Sequence, residues 1–394
     1  MHEDTFYFAM LMFQLGVTLF CTNQLFLHQR HQRVYVPLAL FFAAQSLVGI
    51  VSIGDLLWGV DGYEAMFARW GSLSVPFTLM QPFLFWLYVR ALTSEEEVDR
   101  ITHKGWHALP LLMSISMIIL MFMLPQSVFE TDELDWDTID QLTRFTAVYF
   151  QVVSAIFYMQ IGIYLFLTMR MLSAYSTRLK DLFATTENRE LSWVWWITTT
   201  VSAYLLLSFV QMAADLSGIA VPDFMLDTYD LMDGFFDIAM TWVIAIWGVR
   251  QQPGLVREPV VGASEPALSE AVSSKYERSA LTDEHAARIA NKIEKAMSKD
   301  LLYRDPNLSL WDLAKHIGVT SNYVSQTLNM TLMCNFFDYV NKWRIKDAVK
   351  QLRDTEETIL LITYDVGFNS RSSFYNAFKR EMGTTPSAIR ARPS

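Results

Sequence analysis

The chain has 394 residues, of which 52% are hydrophobic and only 18% are charged, and its mean hydropathy is +0.21. Because soluble domains carry about 25% charged residues, this composition excludes a single soluble domain. Glu3 and Asp4 stand where a secretory signal peptide is basic, and no small-residue cleavage site follows, so we expect no such peptide. The two cysteines, Cys21 and Cys334, are too far apart for a disulfide framework or a cysteine zinc site.

The net charge of −10 is unevenly distributed along the chain. From Asp283 to Ser394 there are 16 Lys and Arg residues against 13 Asp and Glu residues, a net charge of +3. The residues before Asp283 therefore carry −13. An acidic, apolar part and a weakly basic, polar part share one chain, and its length predicts two or three domains.

Seven apolar segments in the first 250 residues are each long enough to cross a hydrocarbon core of about 30 Å as a helix. Their ranges are 6–27, 34–56, 71–92, 108–126, 145–169, 191–213 and 228–248. The connections alternate between Lys/Arg-rich and Asp/Glu-rich, for example 170–189 against 130–140. The positive-inside rule then predicts that the N-terminus lies outside the cell and that the chain after Arg250 is cytoplasmic.

The seventh segment carries three carboxylates, Asp230, Asp233 and Asp237. Their i, i+3, i+7 spacing places them on one helix face, and Asp237 falls about 15 Å along the axis from Trp247, near mid-bilayer. An ionised group at that depth must face the bundle interior, be paired or be protonated. We consider two interpretations: a ligand or proton site that senses a signal, and a structural aspartate held by hydrogen bonds.

Motifs for catalysis are missing from the sequence, which has no Gly-rich phosphate loop and no nucleophile–base arrangement. His103 and His107 have the spacing of a metal-binding pair, but Gly105 interrupts the segment and no glutamate lies between them. We therefore predict a protein that is not an enzyme and that holds no metal and no cofactor.

Residues 251–282 are rich in Pro, Gly, Ser and Ala, which predicts a flexible linker. Residues 283–299 then have the pattern of an amphipathic helix capped by Thr282, with one apolar stripe. We interpret the stripe as a surface that packs on the following domain. The alternative is a helix that dimerises or transmits a signal.

Residues 308–330 have the pattern of a helix-turn-helix unit. Ser309 and Asp312 begin the first helix as a capping box. Gly318 ends that helix, and Thr320 caps a second, recognition helix that we expect to enter the major groove of DNA. The outward-facing residues of the recognition helix are Ser321, Asn322, Ser325, Gln326 and Asn329.

The same pattern recurs at residues 358–382, where Gly367 lies in the turn and Ser370 caps the recognition helix. The outward-facing residues of this helix are Arg371, Ser372, Tyr375, Asn376 and Lys379, with Arg380 in reach of phosphate. Residues 336–352 between the units predict a joining helix, in which we expect Arg344 to be a partly buried structural residue. Asn, Gln and Arg side chains suit contacts to adenine and guanine edges, whereas a charge of +3 predicts modest, salt-sensitive affinity.

Residues from about 300 to 391 resemble the DNA-binding domain of the AraC/XylS family of bacterial transcription regulators. The residues that carry the resemblance are Leu313, Ala314, Gly318, Val319, Thr320, Phe336, Tyr339, Asn341, Arg344, Ile345, Ala348, Asp365, Val366, Gly367, Phe368, Ser373, Phe374, Phe378, Lys379, Gly383, Thr385, Pro386 and Arg390. The resemblance implies two helix-turn-helix units, joined by a helix, that insert into successive major-groove segments on one DNA face. The domain order is also similar to that of membrane-embedded regulators of this family.

Four residues depart from the family pattern. Met333 stands where the family usually has glycine, and Thr363 where it usually has alanine. Gln326 and Asn376 stand where arginine is frequent, which leaves the number of phosphate contacts open.

Together these features predict an all-α protein with a seven-helix transmembrane sensor domain at 1–250 and an AraC-type double helix-turn-helix domain at 300–394. We predict a regulator anchored in a bacterial inner membrane that binds promoter DNA sequence-specifically in response to a signal. The expected partners are double-stranded DNA, the lipid bilayer, an unidentified signal molecule, a second copy of the chain and, for an activator, RNA polymerase. Two alternatives are a membrane transporter or intramembrane enzyme with a DNA-binding regulatory appendage, and a DNA anchor without sequence preference.

Overall fold

The computed structural model describes residues 2–28, 32–58, 69–94, 104–124, 141–187, 189–216, 223–255 and 282–391. The chain divides into two compact units. The first consists of Met1–Leu172 and Leu191–Val256, and the second of Ser173–Glu190 and Arg257–Ser394. Most of the predicted linker, residues 256–281, lies outside the described residues.

A helix lies at each of the seven predicted spans. These helices are α1 (His2–Leu27), α2 (Gln32–Trp58), α3 (Val75–Thr93), α4 (Lys104–Met123), α5 (Gln141–Leu182), α6 (Ser192–Leu216) and α7 (Asp223–Arg250). Within the described residues, five helices are long and apolar enough to cross a membrane, and residues 107–123 form a shorter apolar helix. Seven crossings of a membrane therefore stay a prediction. Helix α5 extends well past the predicted span, and its end, Ser173–Leu182, belongs to the second unit.

The helices of the first unit pack through an apolar core. Helix α2 lies against α1 and α3, and α1 also contacts α7. Phe42, Tyr88 and Leu92 are fully buried. The Tyr88 hydroxyl donates a hydrogen bond of 2.8 Å to the carbonyl of Gly248 in α7. The lack of a side chain at Gly248 also leaves room for Leu38, because a Cβ at that position would lie only 3.0 Å from the Leu38 side chain.

Large apolar side chains also cover the outside of the first unit. Trp196 is 74% exposed, Met123 is 78% exposed, and Phe20 is 63% exposed. Proteins in water rarely expose extensive apolar patches, whereas a hydrocarbon environment favours them. These helices therefore expose more large apolar side chains than a protein in water usually does.

In the described residues, the second unit is formed by seven further α-helices, by a 3₁₀ helix at 302–304 and a π-helical turn at 327–331, and by the segment Ser173–Glu190. The helices are α8 (Asp283–Ser298), α9 (Leu310–Ile317), α10 (Ser321–Gln326), α11 (Phe336–Asp354), α12 (Ile359–Asp365), α13 (Arg371–Met382) and α14 (Pro386–Arg390). Two apolar cores hold them together, one around Leu313 and Val324 and the other around Phe374 and Phe378. The predicted apolar stripe of α8 is buried in the first core. This agrees with the interpretation of the stripe as a surface that packs on the following domain.

Candidate nucleic-acid interface

The first helix-turn-helix unit consists of α9 and α10. Ser309 and Asp312 form the predicted capping box, in which the Ser309 backbone N–H donates to the Asp312 carboxylate at 3.1 Å. Helix α9 ends at Gly318, whose φ of +68° is the left-handed conformation that glycine adopts without strain. The Thr320 hydroxyl accepts the backbone N–H of Tyr323 and so caps α10. These capping contacts, all between residues close in sequence, therefore fix where α9 ends and where the recognition helix α10 begins.

The outward face of α10 is polar but uncharged. Asn322, Gln326 and Asn329 are exposed, and Ser321 and Ser325 are half-buried. The Asn329 side-chain amide donates to the Ser325 hydroxyl at 3.4 Å. After Gln326 the helix continues as a π-helical turn, residues 327–331. This face offers hydrogen-bond donors and acceptors for base edges but no cation for phosphate.

The second helix-turn-helix unit consists of α12 and α13, with Gly367 between them. Gly367 has a φ of +96°, and a Cβ there would lie 2.6 Å from the carbonyl oxygen of Tyr303. Only glycine fits this approach, which holds the turn against the short 3₁₀ helix at residues 302–304. The Ser370 hydroxyl accepts the backbone N–H of Ser373 at 3.2 Å and so begins α13.

The outward face of α13 carries charge. The predicted residues Arg371, Ser372, Asn376, Lys379 and Arg380 are exposed, and Tyr375 is half-buried. The Arg371 guanidinium lies 5.1 Å from the centre of the Tyr375 ring. The Arg380 guanidinium forms an ion pair with the Asp338 carboxylate of α11, at 2.8 Å. An exposed ion pair of this kind contributes about 0–1 kcal/mol, so phosphate can compete for Arg380.

Comparison with known proteins identifies this double unit. The model of a helix-turn-helix domain family matches residues 313–392. An AraC-like transcription regulator of Streptomyces lividans is 34% identical over 96 residues, which are 24% of this chain and 31% of that protein. The melibiose operon regulatory protein of Escherichia coli K12 is 30% identical over 86 residues, 22% of this chain and 28% of that protein.

The C-terminal part of this chain is an AraC-type helix-turn-helix domain. The chain spans about a third of the length of these curated relatives. Among solved structures, the C-terminal domain of AraT, a response regulator from Geobacillus stearothermophilus, is 28% identical with a TM-score of 0.24. That comparison covers 28% of this chain and 87% of that chain.

Arg344 lies at the centre of the AraC-type domain and is 0% exposed, which makes it more deeply buried than predicted. Its guanidinium donates hydrogen bonds to the carbonyl oxygens of Tyr303 at 2.8 Å and Asp305 at 2.9 Å. It also donates to the carbonyl of Ala184 and to the hydroxyl of Thr185, both at 3.2 Å. Burial lowers the pKa of Arg344 to about 10, so the side chain stays charged at neutral pH.

The segment Ser173–Glu190 is the part of the second compact unit that sequence reasoning missed. Its Phe183 forms an antiparallel bridge with Ser309, and the Ala184 N–H donates to the carbonyl of Leu308 at 3.0 Å. At the N-terminus of α13, the Ser370 hydroxyl donates to the Glu187 carboxylate at 2.9 Å. The signal for this packing in the sequence is slight, because the segment reads only as a connection with several basic residues.

An open groove of about 600 Å³ brings residues of both recognition helices together in the AraC-type domain. Asn329 and Arg380 line it, as do Lys342 and Asp338 of the joining helix. Asp181, from the end of α5, also lines this groove. The segment before Glu190 thus places one carboxylate, Asp181, in this groove and another, Glu187, at the N-terminus of α13.

The predicted sensing residues belong to the first unit. Asp237 is described, whereas the side chains of Asp230 and Asp233 lie outside the described residues. The described part of the chain holds no cluster of three potential metal ligands. His107 contacts the Tyr164 hydroxyl at 2.6 Å, and His103 lies outside the described residues.

Proposed function

We propose that this protein is a membrane-anchored transcription regulator that binds promoter DNA sequence-specifically through its two helix-turn-helix units and responds to a signal received by the first unit. The observation that carries the proposal is the pair of capped recognition helices, each with an outward polar face and a buried core of its own. The exposed apolar surface and the five long apolar helices support anchoring in a bacterial inner membrane.

The outward faces of α10 and α13 have different roles in DNA binding. The amides of Asn322 and Gln326 suit the paired donor and acceptor of adenine, and Arg371 suits the two acceptors of guanine. Lys379 and Arg380 supply positive charge for phosphate. Because few cations are available, affinity for unrelated DNA is low, and base contacts account for most of the difference between the operator and other sequences.

The segment Ser173–Glu190 links the signal to DNA binding in this proposal. Helix α5 connects this segment covalently to the first unit, yet the segment itself is part of the second unit. The Glu187 carboxylate accepts a hydrogen bond at the N-terminus of α13, where the helix dipole otherwise favours a DNA phosphate. A shift of α5 that withdraws Glu187 therefore raises DNA affinity, and a shift that holds it there lowers affinity.

The test begins by mapping the sites that the full-length protein occupies, using chromatin immunoprecipitation and sequencing. Binding to a recovered site is then measured with the protein in lipid nanodiscs. We expect Arg371→Ala to abolish the footprint and the transcriptional response. Arg288→Ala is the matched control, because Arg288 is an exposed arginine on α8 that pairs only with Glu284 of its own helix among the contacts described.

Two outcomes would reject the proposal in favour of its alternatives. A footprint spread evenly over unrelated DNA, with no recovered consensus, supports an anchor without sequence preference. Loss of solute transport by Asp237→Asn in vesicles that contain no DNA supports a transporter with a regulatory appendage.

A further inference from the structure

An open groove of about 590 Å³ runs along the first unit between α1 and α7. Its α1 wall extends from Met12 to Cys21 and its α7 wall from Trp242 to Arg250, which is about 12–14 Å of helix on each side. The rings of Phe13 and Trp242 stack with centroids 5.3 Å apart and join the two walls at one end. A groove of this length suits an extended hydrocarbon chain.

The surface of this groove is apolar and faces outward. Phe13, Phe20 and Ile246 are exposed. Gly16 lies between the two phenylalanines on α1 and is also exposed, and a Cβ built there would meet no atom within 4 Å. The absence of a side chain at Gly16 therefore keeps the groove open. Because proteins rarely leave such a surface uncovered in water, we expect an apolar chain from the surroundings to occupy it.

One end of the groove carries positive charge. Arg250, the last residue of α7, is exposed, and among the described residues that line the groove it is the one with a formal charge. The Tyr35 hydroxyl donates to the Gln251 carbonyl at 2.8 Å, which places the start of α2, with Arg33, at this same end of the unit. The positive-inside rule predicts that this end is cytoplasmic. The groove therefore combines an apolar length with a cationic end at the predicted membrane surface.

We propose that this groove binds an anionic phospholipid of the cytoplasmic leaflet, with one acyl chain between α1 and α7 and the phosphate at Arg250. The occupant is a lipid because the groove opens along outward-facing apolar side chains. It is anionic because no carboxylate lines the groove in the described part of the chain, whereas arginine binds phosphate with two parallel hydrogen bonds. The inference rests on the membrane anchoring in the proposed function but not on DNA binding.

The experiment is native mass spectrometry of the full-length protein in detergent micelles without DNA. Phosphatidylglycerol and phosphatidylcholine with identical acyl chains are added in equal amounts, and the first bound lipid is identified by its mass. We expect phosphatidylglycerol to be bound about fivefold more often, which is the preference that one arginine near an anionic membrane surface provides. Glycerol phosphate, which carries the charge without acyl chains, should give no adduct at the same concentration.

Arg250→Gln tests the cationic end of the groove. Glutamine keeps a polar side chain but removes the charge, so phosphatidylglycerol and phosphatidylcholine should then be bound equally. Arg170→Gln is the matched control, because Arg170 is an exposed arginine of α5 that does not line the groove. This control should keep the fivefold preference.

Gly16→Phe tests the apolar length of the groove. The new ring enters open space, so the variant should fold, and by filling the groove it should lower the bound fraction of phosphatidylglycerol at least fivefold. Gly105→Phe is the matched control, because a Cβ at Gly105 of α4 also meets no atom within 4 Å and Gly105 lies outside the groove. Equal Tm values without added lipid show that both variants are folded.

Equal binding of the two lipids to the wild type, an undiminished preference in Arg250→Gln, or wild-type binding in Gly16→Phe would each overturn the inference. An adduct with glycerol phosphate alone would do so as well, because it would show a phosphate site that needs no acyl chain. A protein that prefers phosphatidylglycerol but leaves no footprint on any promoter retains the lipid site and loses the regulatory role. A protein with a footprint but no lipid preference loses only the lipid site.

Discussion

The two recognition helices are built in the same way but differ in what they present and in what touches them. Helix α10 is capped by Thr320 and α13 by Ser370, and each packs on its own apolar core. The face of α10 carries amides and hydroxyls only, whereas α13 carries Arg371, Lys379 and Arg380. In addition, the cap of α13 contacts Glu187 of a segment from the middle of the chain.

The difference teaches that repetition of a motif does not imply repetition of its role. In the proposed function, the uncharged face contributes through base contacts, so we expect its effect to be confined to the correct sequence. The charged face also contacts phosphate in this proposal, so we expect it to contribute on any DNA and to be sensitive to salt. In the proposed function, regulation acts at the charged face, because the Glu187 carboxylate lies at the N-terminus of α13.

The largest effect is expected from Arg344, whose buried guanidinium holds the 303–305 segment and residues 184 and 185. Arg344→Ala removes the donors to two buried or half-buried carbonyl oxygens in the 302–305 region and to Ala184 and Thr185. We expect the second unit to lose at least about 3 kcal/mol of unfolding free energy. Pulse proteolysis in urea, with fragments from residues 282–391 followed, measures the loss.

Arg353→Ala is the control for that experiment, because Arg353 is exposed on the same helix and its removal should change stability by less than about 0.5 kcal/mol. Similar unfolding midpoints for the two variants would show that the buried guanidinium does not hold the unit together.

Substitutions on the two faces should separate base reading from phosphate binding. Gln326→Ala is expected to weaken binding to the recovered operator by about 1–3 kcal/mol and to leave binding to scrambled DNA unchanged. Fluorescence anisotropy with both duplexes measures the difference. A loss of equal size on scrambled DNA would contradict the assignment of α10 to base contacts.

Lys379→Ala should show the opposite pattern. We expect weaker binding to operator and scrambled DNA alike, and a dependence of log affinity on log salt that is shallower by about 1. Titrations at four salt concentrations determine the slope. A slope equal to that of the wild type would mean that Lys379 does not contact phosphate.

Glu187→Gln tests the contact that distinguishes α13 from α10. Removing the charge while keeping the hydrogen-bond acceptor should raise DNA affinity by about 0.3–1 kcal/mol, the usual size of a charge effect at a helix N-terminus. Glu356→Gln, an exposed glutamate in a loop of the same unit, is the matched control. Unchanged or lower affinity in Glu187→Gln relative to this control would reject competition between Glu187 and phosphate.

The smallest effect is expected at Met333, where the family resemblance implies glycine. Met333 has a φ of +51° and is 80% exposed, so its side chain contributes little burial and its backbone is strained. Met333→Gly should stabilise the unit by roughly 0.5 kcal/mol, because relief of about 1 kcal/mol of left-handed strain is offset by a more flexible unfolded chain. A shift of the urea midpoint to lower concentration would contradict this.

Much of the second unit could be predicted from sequence because its signals are local. The capping box at Ser309, the turns at Gly318 and Gly367 and the caps of α10 and α13 each depend on residues a few positions apart. The faces of the recognition helices follow from helical periodicity alone. The structure and the comparisons confirm the AraC-type domain, while the base contacts of these faces stay predictions.

The packing of Ser173–Glu190 could not be predicted in this way. The contact of Arg344 with Ala184 joins residues 160 positions apart and leaves no periodic trace in either segment. The hydrogen bonds at Asp237 are equally hard to predict, because its carboxylate accepts from Gln14 and Gln45, and Gln81 donates to Gln45, so that three separate helices supply the amides. Single glutamines in apolar segments do not reveal which carboxylate they will meet.

The division of the second unit into two pieces of chain has a consequence for its biosynthesis. Ala184 is synthesised long before Arg344. Residues 173–190 therefore emerge from the ribosome before the residues on which they pack, while the rest of the first unit is still being made. A fragment that starts after residue 257 contains every helix of the DNA-reading part and still lacks two of the groups that receive the Arg344 guanidinium. The C-terminal region expressed alone therefore lacks part of its own packing, which the domain boundaries predicted from the sequence do not show.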